Sequence, residues 1–371
     1  MSADILRFPV PPSRLALRLE AFAQSRSVLL AIWALFLALR VAMLLLDSPP
    51  GWVNSALGFD LEAQLVASGQ VDLRHVAAPG WQLVLALVYG RFGSGTVTLG
   101  LFNLACALLG GAMTLALGRR IYGNEAGARL ALLLHALLPG ALLAVPLALP
   151  DTFATLLVQA ACWTLITRTT LYHTATAGLL LGLAAFMAPM TLLLVPLLFA
   201  IDALRRPLRG KDRLRLPGEL ALVFTLAALP LGAWNLLRAS PTPFALDPAG
   251  SLPGALSRLR LLWLETGSPR APVSLLERVA QGWNAGLLAL LALALVVMVV
   301  RRLRDGQRWA GWWLVPYGLA LCPPIWALLF AGIASPLAAT MPVAGLGAGW
   351  LISVAWQALA ERRGLHRPTL H

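Results

Sequence analysis

Long apolar stretches dominate this sequence and recur from Val28 to Trp356. A helix needs about 20 apolar residues to cross a hydrocarbon core of about 30 Å, and several of these stretches approach that length. Only 12% of the 371 residues are charged, against about 25% in an average soluble domain. Because a spanning segment must satisfy its own backbone hydrogen bonds in lipid, these stretches are predicted to be helices. The chain is therefore predicted to be an all-α polytopic membrane protein.

The number of spans depends on the prolines Pro189 and Pro196, which interrupt one apolar region. The region forms either two short spans or one kinked span. With two spans, most of the 29 Lys and Arg residues fall on the side of the termini, as the positive-inside rule requires of the cytoplasmic side. The protein is predicted to lie in the bacterial inner membrane with both termini cytoplasmic. The predicted spans are approximately 27–46, 95–117, 126–145, 152–167, 174–187, 190–204, 217–237, 283–300, 311–331 and 336–357.

This topology predicts a cytoplasmic segment over residues 1–26, a transmembrane domain over 27–358 and a cytoplasmic tail over 359–371. Two outer segments, 47–94 and 238–282, are too long to be turns. The first contains FDLEAQLVASG, an amphipathic helical pattern, and then PGWQLVLALVYGRFG, which is apolar but short and is predicted to lie at the outer interface. The second contains ALSRLRLLWLE, a further helical pattern. Both outer segments are therefore predicted to be structured.

Several function classes lack support in this sequence. The net charge of +13 comes from short basic clusters between apolar spans, so topology accounts for it better than nucleic-acid binding does. Cys106, Cys162 and Cys322 show no CxxC spacing, which argues against a disulfide framework or a metal site. The sequence has no Walker loop, no dinucleotide-binding GxGxxG motif with its acidic partner and no HExxH motif, which argues against a nucleotide-sugar enzyme, an ATP-driven pump or a zinc protease. No cofactor is predicted, and a divalent metal stays open.

The order of features resembles a known family. After the first span come DLEAQLVASG and APGWQLVLALVYGRFG, then LGRRIYGNEAGARLALLLHALLP and LALPDTF. In this order the chain resembles the GT-C superfamily of membrane glycosyltransferases, in the bacterial branch (family 39) that includes the lipid A aminoarabinose transferase and the protein O-mannosyltransferases. The resemblance covers most of the chain. It implies a GT-C-like transmembrane bundle of about ten spans with two structured periplasmic segments.

The resemblance also implies an outer carboxylate that acts as general base. The family's aspartate position falls near Asn54 or Ser55, and neither is acidic, so Asp60 is the candidate base. Asp151 stands where the family keeps a second outer acid, and Asp47 is a further candidate. Structural alternatives stay open for all three carboxylates: a helix N-terminal acid for Asp60, a helix cap for Asp151 and an interface marker for Asp47.

Cations are needed to neutralise the departing lipid phosphate. The candidates are Arg74 with His75 in the first outer segment, and Arg258 with Arg260 in the second, because the guanidinium fork matches phosphate. Arg258 and Arg260 could equally bind anionic lipid headgroups. Trp263 is a candidate for stacking on a sugar ring, with an aromatic belt as the alternative.

Two polar residues inside predicted spans have structural explanations. Arg40 lies in the outer third of the first span and is predicted to snorkel or to pair with Asp47 or another acid. His135 lies in the third span, where an interhelical hydrogen bond is expected rather than metal ligation, because no His or Cys stands three or four residues away.

The function implied by the resemblance is transfer of a sugar from an undecaprenyl-phosphate donor to a glycan, lipid or protein acceptor at the periplasmic side. The expected partners are that donor, the acceptor and membrane lipids, with no nucleic acid. The alternative is a non-catalytic relative that binds a lipid carrier or a partner protein, since no acid stands near Asn54. A secondary transporter would show a repeat of its two halves, and none is visible.

Overall fold

The computed structural model describes residues 25–46, 50–72, 79–122, 125–167, 170–205 and 212–237, together with Val296. Every regular element within these residues is helical, as the apolar pattern predicts. The second predicted outer segment and, apart from Val296, the last three predicted spans lie outside the described residues. The elements are α1 (Arg26–Leu45), α2 (Pro50–Ala67), α3 (Pro79–Phe92), α4 (Thr96–Tyr122), α5 (Glu125–Ala136), α6 (Pro139–Leu143), α7 (Asp151–Ile166), α8 (Leu171–Met187), a 3-10 helix (Pro189–Leu193), α9 (Leu194–Arg205) and α10 (Asp212–Leu237).

Three helices in the described part are long and apolar enough to cross a membrane: α1, most of α4, and Leu216–Trp234 of α10. The helices α7 and α8 are apolar but shorter. On α1, large apolar side chains such as Leu30 and Leu45 are exposed, as expected of a helix whose outer side faces lipid rather than water. The chain is a membrane protein whose described helices follow most of the predicted spans.

The third predicted span, 126–145, is not one continuous helix. The helix α5 ends at Ala136 and α6 begins at Pro139. In a continuous helix, a proline has no N–H for the carbonyl four residues earlier, and its ring would clash with that carbonyl. For Pro139 this carbonyl is that of His135. The sequence pattern missed this break because the residues on both sides of it are equally apolar.

The prolines of the next interrupted region act differently from each other. The helix α8 ends at Met187, and a 3-10 helix begins at Pro189, so Pro189 marks a real break. Pro196 lies within the first turn of α9, where the backbone N–H has no intrahelical partner in any case. Pro196 was expected to interrupt the helix and does not.

One end of the bundle is fixed by charged groups, and we call it the basic end. Glu125 accepts from Arg119 Nε at 2.7 Å and from Arg129 Nε at 2.9 Å. Arg129 also donates to the backbone oxygen of Ser25 at 2.6 Å, which ties the start of α1 to α5. The hydrogen bond from Arg119, followed by that from Arg129, lowers the pKa of Glu125 to about 2. Glu125 therefore stays ionised and, together with Arg129, joins α1, α4 and α5.

The opposite end brings the other helix termini together, and we call it the Asp151 end because α7 begins there. A Cβ on Gly100 of α4 would lie 2.6 Å from Leu44 of α1. A Cβ on Gly80 of α3 would lie 2.5 Å from the backbone oxygen of Phe186 in α8. The Phe186 ring meets Trp234 of α10 at 5.9 Å between centroids. The α3 helix thus sits among the ends of the long helices.

Candidate functional site

The helices α2 and α3, which belong to the predicted outer segment 47–94, pack against each other as a hairpin. The α2 helix ends in a turn at Gly69, whose φ of 71° is left-handed. In this turn the Gly69 and Gln70 N–H groups donate to the carbonyls of Val66 and Leu65, a helix C-terminal arrangement that favours glycine. Both predicted helices of this segment are therefore present.

Asp60 lies on the face of α2 that meets α3. Its Oδ1 accepts from the Tyr89 hydroxyl of α3, and its Oδ2 accepts from Gln64 Nε2 at 3.0 Å. Burial, and after it the hydrogen bond to Asp60, raises the pKa of Tyr89, so the phenol keeps its proton and donates it. Because α2 begins at Pro50, Asp60 lies well past the first turn. The explanation of Asp60 as an acid favoured by the helix N-terminus is therefore wrong.

A second carboxylate of α2 is held in the same way. Glu62 Oε2 accepts from Gln82 Nε2 at 2.8 Å. Gln82 and Tyr89 are seven residues apart and so lie on one face of α3. Neither residue is predicted from the sequence as part of the site, although a glutamine in an otherwise apolar segment, with a tyrosine two helical turns later, is an available signal. On the face of α3 toward α2, Gln82 and Tyr89 thus donate hydrogen bonds to Glu62 and Asp60.

Asp151 is the first residue of α7 and is 1% exposed. Pro150 occupies the N-cap position, and no side-chain cap hydrogen bond is formed there. Asp151 is thus the first helical residue rather than the N-cap residue, and an acid at this position suits the positive end of the helix dipole. Asp151 is a buried acid in the first turn of α7.

The segment that precedes Asp151, residues 144–150, is irregular and is held by side chains of two helices. Trp81 Nε1 of α3 donates to the Ala148 carbonyl at 2.9 Å. Asn103 Nδ2 of α4 donates to the carbonyls of Val145 and Leu147 at 3.0 and 2.8 Å. Because these donors satisfy buried carbonyls that have left helical geometry, they fix where α7 begins.

Contacts with this segment bring the two candidate acids in the described part, Asp60 and Asp151, to one end of the molecule. Phe59, next to Asp60, packs against Leu147 and Leu149, and these residues lead directly to Asp151. The hairpin is therefore docked at the Asp151 end. Within the described residues no group of three or more His, Cys, Asp or Glu could hold a metal ion. The remaining candidates, Asp47, Arg74, His75, Arg258, Arg260 and Trp263, lie outside the described residues.

A buried polar network joins α1, α4, α5 and α7. Arg40 of α1 is fully buried, donates to the carbonyls of Phe36 and His135 at 3.2 and 3.3 Å, and stacks on the Phe36 ring. It therefore does not snorkel, and no carboxylate of the described residues is paired with it. His135 Nδ1 hydrogen-bonds Thr114 Oγ1 at 2.9 Å, which confirms the expected interhelical bond. Gln159 of α7 donates to the same hydroxyl at 3.0 Å.

Comparisons with known proteins bear on the fold. No protein-family model matches the chain, and no curated protein sequence matches it. The crystal structure of ArnT from Cupriavidus metallidurans bound to undecaprenyl phosphate is similar, with a TM-score of 0.55 at 14% identity, over 87% of this chain and 59% of that one. The same protein in its apo state gives a TM-score of 0.53 at 16% identity, over 90% of this chain and 62% of that one. This chain thus spans about six-tenths of the length of those structures.

Proposed function

We propose that this chain, which has the GT-C fold of membrane glycosyltransferases, is itself a glycosyltransferase. In this proposal it transfers a sugar from a polyprenyl-phosphate donor to an acceptor at the Asp151 end. The observation that supports this most is the α2–α3 hairpin docked at the end where α7 begins, since it gathers Asp60 and Asp151 at one end of a membrane bundle. The similar ArnT structure was solved with undecaprenyl phosphate, which makes such a lipid the proposed carrier here.

In the proposed reaction, the acceptor hydroxyl attacks the anomeric carbon of the sugar and gives its proton to Asp60. The bond between that carbon and the lipid phosphate oxygen breaks, and the phosphate leaves with the electron pair. A carboxylate has about four lone-pair sites, and Tyr89 and Gln64 take one on each oxygen of Asp60. Asp60 therefore keeps acceptor capacity for the proton, while its two donors fix its orientation.

The other candidate residues have supporting roles in this proposal. Asp151, with Asp47 as a further candidate, supplies a second acid at the donor or acceptor. Arg74 with His75, and Arg258 with Arg260, neutralise the departing phosphate, and Trp263 stacks on the sugar. The Asp151 end is proposed to be periplasmic and the basic end cytoplasmic, since basic clusters stay on the cytoplasmic side. The acceptor is a glycan, lipid or protein.

The test is a transfer assay with the full-length protein in lipid, supplied with labelled polyprenyl-phosphate sugars and envelope acceptors. Asp60→Asn is expected to lower turnover about 100-fold, because general-base catalysis contributes on that order. Asp151→Asn is expected to lower it as well. Asp72→Asn is the matched control, since this exposed acid belongs to the same outer segment, and it should leave turnover unchanged. Unchanged turnover in both Asp60→Asn and Asp151→Asn would remove these residues from the site.

A second candidate function is binding of a lipid carrier or partner protein without catalysis. It is favoured by Asn54 and Ser55, which stand near the position where the resemblance expects the catalytic acid. Under this alternative, a lipid-linked sugar would copurify with the wild-type protein and remain intact after prolonged incubation with every acceptor. Consumption of the bound donor would exclude it.

A further inference from the structure

A small cavity lies next to the first turn of α7. Its volume is ≈ 20 Å³, enough for about one water molecule. It is lined by Arg40 of α1, His135 of α5, and Thr152 and Thr155 of α7, together with the small residues Ala107, Gly110, Ala141 and Ala144. Thr152 directly follows Asp151. The cavity therefore borders both the buried Arg40 and the helical turn that begins with a proposed site residue.

The helix break after α5 supplies a backbone carbonyl that holds Arg40 at this cavity. In an unbroken helix the His135 carbonyl would accept from the N–H of residue 139, but Pro139 has none. This carbonyl, which also receives a long 3.5 Å bond from Leu138 N, accepts from Arg40 Nη2 at 3.3 Å. The negative end of the α5 dipole adds to the attraction. The Phe36 ring lies 3.3 Å below the guanidinium carbon, a favourable position for a cation.

The anchoring leaves one of the three guanidinium nitrogens of Arg40, Nε, without a hydrogen bond in the described part. Its Nε–H has no hydrogen-bond partner among the described atoms, although the residue is 0% exposed. A buried charge inside a membrane is costly unless its donors are satisfied, and such residues are usually functional. A water in the cavity would accept from this N–H and donate to a threonine hydroxyl of α7, which gives it the two or more polar partners that a buried water needs.

The geometry points to Arg40 as a positioning residue that, through one water in this cavity, holds the first turn of α7 and with it Asp151. This inference rests on the proposed function only for its consequence in catalysis. The mechanical part, which is the coupling of α1 to the start of α7, stands on the contacts described above. Arg40 itself does not touch the substrate.

Hydrogen exchange of the full-length protein in lipid tests the mechanical part. Arg40→Met is expected to speed exchange of the amides of residues 151–155 about tenfold, because a hydrogen bond to a charged group is lost. Arg40→Lys keeps the charge and a donor, and should restore most of the protection. Arg129→Met is the matched control: it removes a largely buried arginine at the basic end and should speed exchange there but not in α7.

A second variant covers the case in which Arg40→Met fails to fold. Thr152→Val keeps the guanidinium and the side-chain shape but removes a hydroxyl of the cavity, so it should also loosen the first turn of α7. If neither Thr152→Val nor Arg40→Met changes exchange over residues 151–155 relative to wild type, the inference is wrong, whatever the protein catalyses.

The catalytic part has its own measurement. In the transfer assay, Arg40→Met should lower kcat about tenfold with KM unchanged, the pattern of a lost contribution to the transition state alone, and Arg40→Lys should recover most of kcat. Arg129→Met should leave kcat of the folded protein unaltered. An inactive wild type would overturn the proposed function and leave the exchange result intact. Altered exchange together with unaltered kcat would overturn the positioning role.

Discussion

At the scale of single residues, the contact between α2 and α3 depends on acids of one helix and donors of the other. Tyr89 and Gln82 each donate to a different carboxylate of α2. Tyr89 is 4% exposed and packs within the main apolar core. Its hydroxyl is therefore satisfied by Asp60 in a place where an unpartnered polar group would be costly.

Tyr89→Phe removes this donor without changing the packing of the ring. We expect a loss of about 1–2 kcal/mol in the free energy of unfolding, because the half-buried carboxylate of Asp60 loses a partner. Chemical unfolding of the purified protein in detergent measures the loss. Tyr172→Phe is the control: Tyr172 is 79% exposed, and its hydroxyl should contribute nothing measurable. An equal effect of both substitutions would contradict the role given to Tyr89.

Glu125 makes the stability of the basic end depend on pH. Its pKa is lowered from 4.5 to about 2 in the folded protein, so its contribution is complete above the unfolded-state pKa and disappears as the pH falls through the folded-state value. At pH 7, Glu125→Gln should lower the free energy of unfolding by only about 1 kcal/mol, since the pair with Arg119 is partly exposed.

This prediction is checked by thermal unfolding of wild type and Glu125→Gln across the acid range. The difference between the two proteins should shrink between the ordinary and the lowered pKa of Glu125 and vanish at the acid extreme. A difference that stayed constant over this range would show that the carboxylate charge is not its source.

At the scale of helices, small residues decide how closely α8 and α10 pack. A Cβ at Gly182 would lie 2.7 Å from the Leu226 carbonyl, and one at Gly178 would lie 3.1 Å from Val223. In lipid there is no hydrophobic force between helices, so close backbone contact is a main source of association. These glycines belong to the helix interface.

Gly182→Ala is expected to destabilise the protein by about 1–3 kcal/mol, because the methyl group meets backbone atoms that cannot move away easily. Gly232→Ala in α10 is the control, since a Cβ there meets nothing within 4 Å. By helix propensity alone it should be neutral or stabilising, by up to about 1 kcal/mol. The free energy of unfolding of both variants tests this prediction. An unchanged value for Gly182→Ala would contradict the close contact between α8 and α10.

At the scale of the whole molecule, the two ends of the bundle differ in chemistry. The basic end is closed by ion pairs among Arg119, Glu125 and Arg129. The Asp151 end is assembled from aromatic rings and backbone carbonyls, with rings in contact from Trp81 through Phe102 to Phe153. The bundle is thus polarised, and the positive-inside rule predicts its orientation.

Single cysteines test this orientation in intact cells. Gln70→Cys places a thiol on an exposed residue after α2, and Arg120→Cys places one on an exposed residue at the basic end. A membrane-impermeant maleimide applied from the periplasmic side should label the first readily and the second only after permeabilisation. The unsubstituted protein, whose Cys106 and Cys162 are buried, gives the background. The opposite labelling pattern would invert the topology and contradict a periplasmic site.

Within the described residues, the sequence by itself determined most helix positions and the presence of two helices in the predicted outer segment 47–94. These features follow from local quantities, namely the length of an apolar run, its period and its glycine or proline ends. The tertiary structure decided which side chains meet: Tyr89 with Asp60, Trp81 with Ala148, and Arg40 with His135, 95 residues away. Such pairs depend on how helices rotate and cross when they pack, and no window of sequence contains both partners. For the same reason the sequence pattern favoured an interfacial position for Arg40. In the folded protein Arg40 is buried and donates to the His135 carbonyl, which receives no N–H from Pro139.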